Sequence, residues 1–222
     1  MYALARGPLA LGAFLILILG LVYQTVRFFA LTRSASRQEA SFRQQPQNSG
    51  LRHPSPKVQR RARMQRSVMG MEPAMAVITT VFHAALILTP LTVLAHALLF
   101  EQSWGFRPPA VSELFSDVLT LVVLGLGGFL LYRRIRLAKV RSITGPMDIA
   151  LLFVVLAPFL TGFLAYHQLT PYRPMVLAHI LSGELMLVCI PFTRLSHALF
   201  FFLTRVLLGS EYSFTRGRRN WR

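Results

Sequence analysis

The sequence predicts an all-α membrane protein: a five-transmembrane-helix bundle with its N-terminus outside and its C-terminus in the cytoplasm. Three observations predict it. Five apolar segments each approach or exceed the roughly 20 residues that a helix needs to cross the hydrocarbon core. The chain of 222 residues is 54% hydrophobic, with a mean hydropathy of +0.50. Its basic residues, 24 Lys and Arg against 8 Asp and Glu, gather in alternate connections. Helices are the expected form because backbone polar groups in lipid must bond within their own segment.

The segments run over residues 8–30, 74–100, 112–132, 146–166 and 174–203. Pro8, Pro73, Pro146 and Pro174 fall at or just before their starts, where the missing N–H costs little. The domain division is a first transmembrane helix over 1–31, a basic cytoplasmic loop over 32–73, a four-helix membrane bundle over 74–205 and a basic cytoplasmic tail over 206–222. The first segment has a long apolar run and a weak basic start. It therefore reads as a retained anchor rather than a cleaved signal peptide.

Charge sets the direction. The loop from Arg33 to Arg66 carries nine basic residues against Glu39 alone, and Arg133, Arg134, Arg136, Lys139 and Arg141 crowd the third connection. Arg216, Arg218, Arg219 and Arg222 close the tail, whereas the other two connections are poor in base. The positive-inside rule places all three basic regions in the cytoplasm. It also assigns the net charge of +16 to topology and lipid contact rather than to nucleic acid. Within the first loop, QQPQNSGLRHPSP reads as an irregular linker. KVQRRARMQRSV reads either as a basic helix on anionic lipid or an acidic partner, or as a solvated charge run.

Cys189 is the single cysteine. That excludes a disulfide within the chain, a Cys-x-x-Cys-His attachment of c-type haem and a cysteine-held iron–sulfur cluster.

Polar groups inside spans are costly and mark function. Span two carries His83 and His96, and span five carries His179 and His197. Because the two spans run in opposite directions, His83 and His197 share the inner level and His96 and His179 the outer level. Two such pairs suit a porphyrin held edge-on between helices with an imidazole on each side of the iron. On one unbroken helix, His179 and His197 would be five turns apart on a single stripe, about 27 Å along the axis. His83 and His96 fit less well. On a straight helix they would miss a common face by roughly 140°, and Pro90 midway is the expected place for a kink.

The run His179-x3-Gly183-x7-Pro191-Phe192-Thr193-Arg194-Leu195-x-His197 resembles the last helix of the respiratory nitrate reductase gamma subunit, a membrane cytochrome b. Leu130-Leu131-Tyr132-Arg133-Arg134, Val140-Arg141 and Asp148-Ile149 are similar to further stretches of that family, as are Phe82-His83 and His96. The resemblance covers roughly residues 74–205. It implies two haem b groups, an outer one on His96 and His179 and an inner one on His83 and His197. It also implies quinol oxidation (menaquinone) near the outer haem, electron delivery to a cytoplasmic iron–sulfur subunit, and location in the bacterial cytoplasmic membrane. The wider histidine spacing in span two and the longer basic loop direct the resemblance toward cytochromes of sulfur-metabolising complexes. Those pair with heterodisulfide-reductase-like iron–sulfur subunits and often with a periplasmic multihaem cytochrome c.

Further candidates follow from position. Arg194, one turn before His197, and Arg173 at the outer end are candidates for haem propionates, with lipid anchoring as the alternative for each. Arg107, His167 and Glu184 are candidates for a quinone site. Arg107 also reads as a surface anchor, and His167 and His53 as ordinary surface residues. An ionised Glu184 within the bilayer would cost about 2.5–3.5 kcal/mol or more; it is expected to stay protonated, bond a neighbour or relay protons. Gly125, Gly127 and Gly128 allow a neighbour, porphyrin or helix, to come close.

Two other classes compete. A haem-free membrane anchor for a redox enzyme would leave four depth-matched histidines unexplained. A small proton-coupled transporter would be expected to show inverted repeats, and the sequence shows no repeat.

Overall fold

The computed structural model describes residues 2–42 and 72–207. The readings placed on the linker, on KVQRRARMQRSV, on His53 and on the tail arginines lie outside the described residues. Among those described, every regular element is helical: α1 (Tyr2–Leu4), a π-helical turn (Ala5–Leu9), α2 (Ala10–Phe42), α3 (Pro73–Thr92), α4 (Leu94–Trp104), α5 (Glu113–Arg136), α6 (Ala138–Arg141), α7 (Pro146–Tyr166), α8 (Tyr172–Phe192), a 3-10 turn (Arg194–Ser196) and α9 (His197–Leu207). Five stretches are long and apolar enough to cross a membrane: Tyr2–Leu31, Pro73–Thr92, Glu113–Arg136, Pro146–Tyr166 and Tyr172–Phe192.

Helix ends follow local chemistry. Pro73 and Pro146 open α3 and α7 from the first helical turn, as expected of a residue with no N–H to lose. Pro174 likewise lies in the first turn of α8, which begins at Tyr172. Pro8 differs from expectation, since the helical stretch begins earlier, at Tyr2, and takes it inside. Ser112 caps α5 by accepting the Phe115 N–H at 3.4 Å. Asp148 accepts the Gly145 N–H at 2.9 Å and so ties down the start of α7. Arg133, Arg134 and Arg136 occupy the last turn of α5, where cations complement the carbonyl end of the helix dipole.

Two expected spans are broken. Span two stops at Val93, whose φ −64 and ψ 130 are extended. The break falls three residues beyond Pro90, which stays inside α3. Span five is not one helix over 174–203. It stops at Phe192, passes through extended Thr193 (φ −122, ψ −173) and a 3-10 turn, and restarts at His197. Thr193 stabilises this break by donating its hydroxyl to the Cys189 carbonyl at 2.7 Å and accepting the Leu195 N–H at 3.2 Å. The five-turn argument linking His179 to His197 therefore fails, because it requires continuous 100° steps.

The described chain divides into two units. One comprises residues 2–7 and 72–186. In it α5 packs against both α3 and α7. Its interior is built from Phe82, Ala85 and Thr89 on α3, Ala97 on α4, Val123 on α5, and Leu151, Leu152, Val155 and Phe159 on α7. The spacings 82/85/89 and 151/152/155/159 are the i, i+3, i+4 stripes of a helix face. The buried Thr89 hydroxyl returns to the Ala85 carbonyl at 2.7 Å, which leaves no polar atom of that side chain facing apolar surroundings. Gly127 is where α5 approaches α7, since a methyl there would run into the Leu156 side chain. Gly125 and Gly128 meet nothing within 4 Å. Arg133 donates to Glu72 at 3.1 Å and links the last turn of α5 to the residue before α3.

The other unit comprises residues 8–42 and 187–207. Gln24 donates its amide to the Pro191 carbonyl at 2.6 Å. Pro191 is fully buried, and a methyl on Gly20 would lie 2.6 Å from its ring carbons. Phe28 and Phe200 pack with ring centroids 5.8 Å apart. Gly20, Gln24 and Phe28 recur at i, i+4, i+8, so one stripe of α2 makes all three contacts.

Candidate functional site

Four of the described histidines share one hydrogen-bond pattern. His83 Nδ1 meets the Thr79 carbonyl at 2.6 Å, His96 Nδ1 the Pro90 carbonyl at 2.8 Å, His179 Nδ1 the Pro158 carbonyl at 2.8 Å and His197 Nδ1 the Arg194 carbonyl at 2.7 Å. A carbonyl oxygen only accepts, so Nδ1 carries the proton in each ring and the neutral imidazole has its lone pair on Nε2. A carbonyl behind Nδ1 is also how metal-ligating histidines are held in tautomer and orientation. His167 is wired the other way, with its Nε2 on Asp117 Oδ1 at 3.1 Å.

The first unit brings His96 and His179 together. Their ring centroids are 5.9 Å apart and their planes differ by 15°. The break at Val93 makes this arrangement. In an unbroken helix the Pro90 carbonyl would accept the N–H four residues on. Extended Val93 ends that ladder, and His96, in the first turn of α4, takes the Pro90 oxygen instead. The ring of His179 projects from α8 onto α7, against Pro158 and Gly162. Thr161 and Ser182 meet at 3.3 Å across the same two helices, and Ser182 also donates to the His179 carbonyl at 3.0 Å.

His83 sits on α3 of the first unit, with the Phe82 ring edge-on at 5.4 Å. His197 begins α9 in the second unit.

The remaining candidates scatter. Arg107 pairs with Glu101 at 3.6 Å in an exposed connection. Arg173 is exposed in the first turn of α8, and Arg194 is exposed in the 3-10 turn that leads to His197. His167 closes α7, its ring 4.4 Å from that of Phe163. Glu184 Oε1 is buried without a hydrogen-bond partner. Sequence reasoning missed Gly162, the Pro158 carbonyl and Gln24. The one available signal for the first two was a lone glycine four residues after a proline within a span of bulky side chains.

Metal–imidazole nitrogen bonds are about 2.0–2.1 Å, so two rings that ligate one metal from opposite sides have centroids roughly 6 Å apart. His96 and His179 have centroids 5.9 Å apart with near-parallel, stacked rings; the separation is of that size, and the direction of each Nε2 decides whether one metal fits between them. Among the described residues, no group of three or more His, Cys, Asp or Glu side chains is placed to hold a metal ion. Two imidazoles alone could serve only a metal that brings its other ligands with it, as iron does in a porphyrin.

No family model matches the chain. No solved structure matches it. A protein of Nitratidesulfovibrio vulgaris (strain Hildenborough), described only as a protein, is 42% identical over 147 residues, covering 66% of this chain and 65% of that protein. The chain thus spans just under two thirds of the length of the relative it matches.

Proposed function

We propose that the chain is a dihaem cytochrome b, the membrane subunit of a respiratory redox complex. The single observation that carries the reading is the close pair His96 and His179, with near-parallel rings and both Nδ1 atoms committed to proline carbonyls. These two residues hold the outer haem. His83 and His197, which share the same tautomer, hold the inner one. When bound, each haem supplies a reversible one-electron couple, and two axial imidazoles favour electron transfer over oxygen binding.

The chain's own residues do the rest. The carbonyls of Thr79, Pro90, Pro158 and Arg194 fix the tautomers and raise the basicity of the ligating nitrogens. Arg173 and Arg194 balance propionate charge at the two levels. Arg107, His167 and Glu184 are the groups suited to binding a quinol and taking its protons. With the N-terminus outside, electrons pass between the quinone pool, menaquinone by resemblance, and a cytoplasmic heterodisulfide-reductase-like iron–sulfur subunit. A periplasmic multihaem cytochrome c is a further partner, and the location is the bacterial cytoplasmic membrane.

A reduced-minus-oxidised spectrum of the purified chain, with a pyridine haemochrome count per polypeptide, tests the reading. Two haems b are expected, with His179→Ala and His197→Ala each losing a different one. A well-folded chain without haem would overturn it and favour the haem-free anchor.

A further inference from the structure

Resting on the cytochrome reading, we infer that Gly162 is a positioning residue for the outer axial ligand: its missing side chain is the slot in which the His179 ring sits. A Cβ built on Gly162 would lie 2.9 Å from both Cε1 and Nδ1 of His179 and 3.7 Å from its Cγ. Carbon atoms without a bond between them settle at about 3.5–4.0 Å, so a methyl and the present ring position exclude one another.

The ring has little freedom to yield. Its Nδ1 is tied to the Pro158 carbonyl at 2.8 Å, one turn before Gly162 on the same helix. The His96 ring lies close by and nearly parallel, with centroids 5.9 Å apart. Its backbone is tied to α7 through Ser182, which bonds both the His179 carbonyl at 3.0 Å and Thr161 at 3.3 Å. A methyl at Gly162 must therefore shift the imidazole, turn it about the ring–backbone bonds or break the Pro158 hydrogen bond. Each of these moves Nε2, the atom assigned to the iron. Gly162 and the Pro158 carbonyl act as a pair. The glycine admits the ring, and the carbonyl sets its rotation.

Gly162→Ala in the full-length detergent-purified chain tests this, with Gly12→Ala as the control because a methyl there meets nothing within 4 Å. The expected result is that one of the two low-spin ferric signals in the electron paramagnetic resonance spectrum shifts or disappears while the other is unchanged. The affected signal is the one lost in His179→Ala, and Gly12→Ala matches the wild type. Wild-type spectra for both haems in Gly162→Ala would overturn the inference. A folded wild-type chain with no haem would overturn the cytochrome reading, and the ligand-positioning role with it.

If Gly162→Ala folds poorly, the double variant Gly162→Ala/His179→Ala decides. With the ring removed, the added methyl has space, so folding yield by size exclusion should recover to that of His179→Ala alone. No recovery would place the clash elsewhere and overturn the inference.

Discussion

His96 and His179 hold their ring planes within 15° of each other at 5.9 Å, and each gives its Nδ1 proton to the carbonyl of a proline. The two carbonyls have different histories. Pro90 is released because its helix stops at Val93. Pro158 lies inside an intact helix, and its oxygen receives both His179 Nδ1 at 2.8 Å and the Thr161 hydroxyl at 3.3 Å. A carbonyl oxygen has two lone pairs and accommodates more than one donor.

If the pair grips one cofactor, its members are not independent. His96→Ala and His179→Ala should each lower the pyridine haemochrome count from two to one per chain. The double variant should also retain one, because residues that share a ligand act as a unit. A count of zero in the double variant would assign them to different haems.

Gln24 donates to the Pro191 carbonyl at 2.6 Å, near the end of α8. Removing the amide leaves a buried carbonyl without a partner, which costs about 1–3 kcal/mol. Gln24→Ala should therefore lower resistance to unfolding in an SDS titration by about that amount, and Gln24→Asn, whose shorter side chain cannot reach, should behave similarly. An unchanged midpoint in both would show that the bond contributes nothing.

The close approaches at Gly20 and Gly127 should differ in cost. A methyl on Gly20 meets ring carbons of fully buried Pro191 at 2.6 Å, and a pyrrolidine cannot swing aside. A methyl on Gly127 meets the end of the Leu156 side chain, which has rotamers to use. Overpacking costs about 1–3 kcal/mol. Gly20→Ala should sit at the upper end of that range, and Gly127→Ala at the lower end, with recovery in Gly127→Ala/Leu156→Ala. The same SDS titration ranks them.

Direction in the membrane is open to labelling. In a Cys189→Ala background, a cysteine at exposed Ser103 should react with a membrane-impermeant maleimide added outside intact cells. One at exposed Ser142 should react only after permeabilisation. The opposite pattern would invert the topology that charge predicts.

Hydropathy located the five spans because it is an additive property of about 20 consecutive residues and needs no knowledge of neighbours. Pro146–Tyr166 has the bounds read from sequence. The same local reading failed at the breaks. Val93 carries no breaking signal of its own, and Pro90, which does, stays helical. Thr193 breaks α8 from α9 through bonds to Cys189 and Leu195 that its residue type permits but does not require. Likewise, the sequence names the four histidines but not the oxygen behind each ring.

By itself, then, the sequence determined an apolar helical chain, five stretches able to cross a membrane, and four histidines within or beside them. Only the tertiary structure decided that the His96 and His179 rings come together nearly parallel, that their lone pairs lie on Nε2, and that Gly162 leaves room for a ring. The physical reason is that burial propensity is summed along the chain, whereas a hydrogen-bond acceptor becomes available only where a ladder stops or a neighbouring helix presents one.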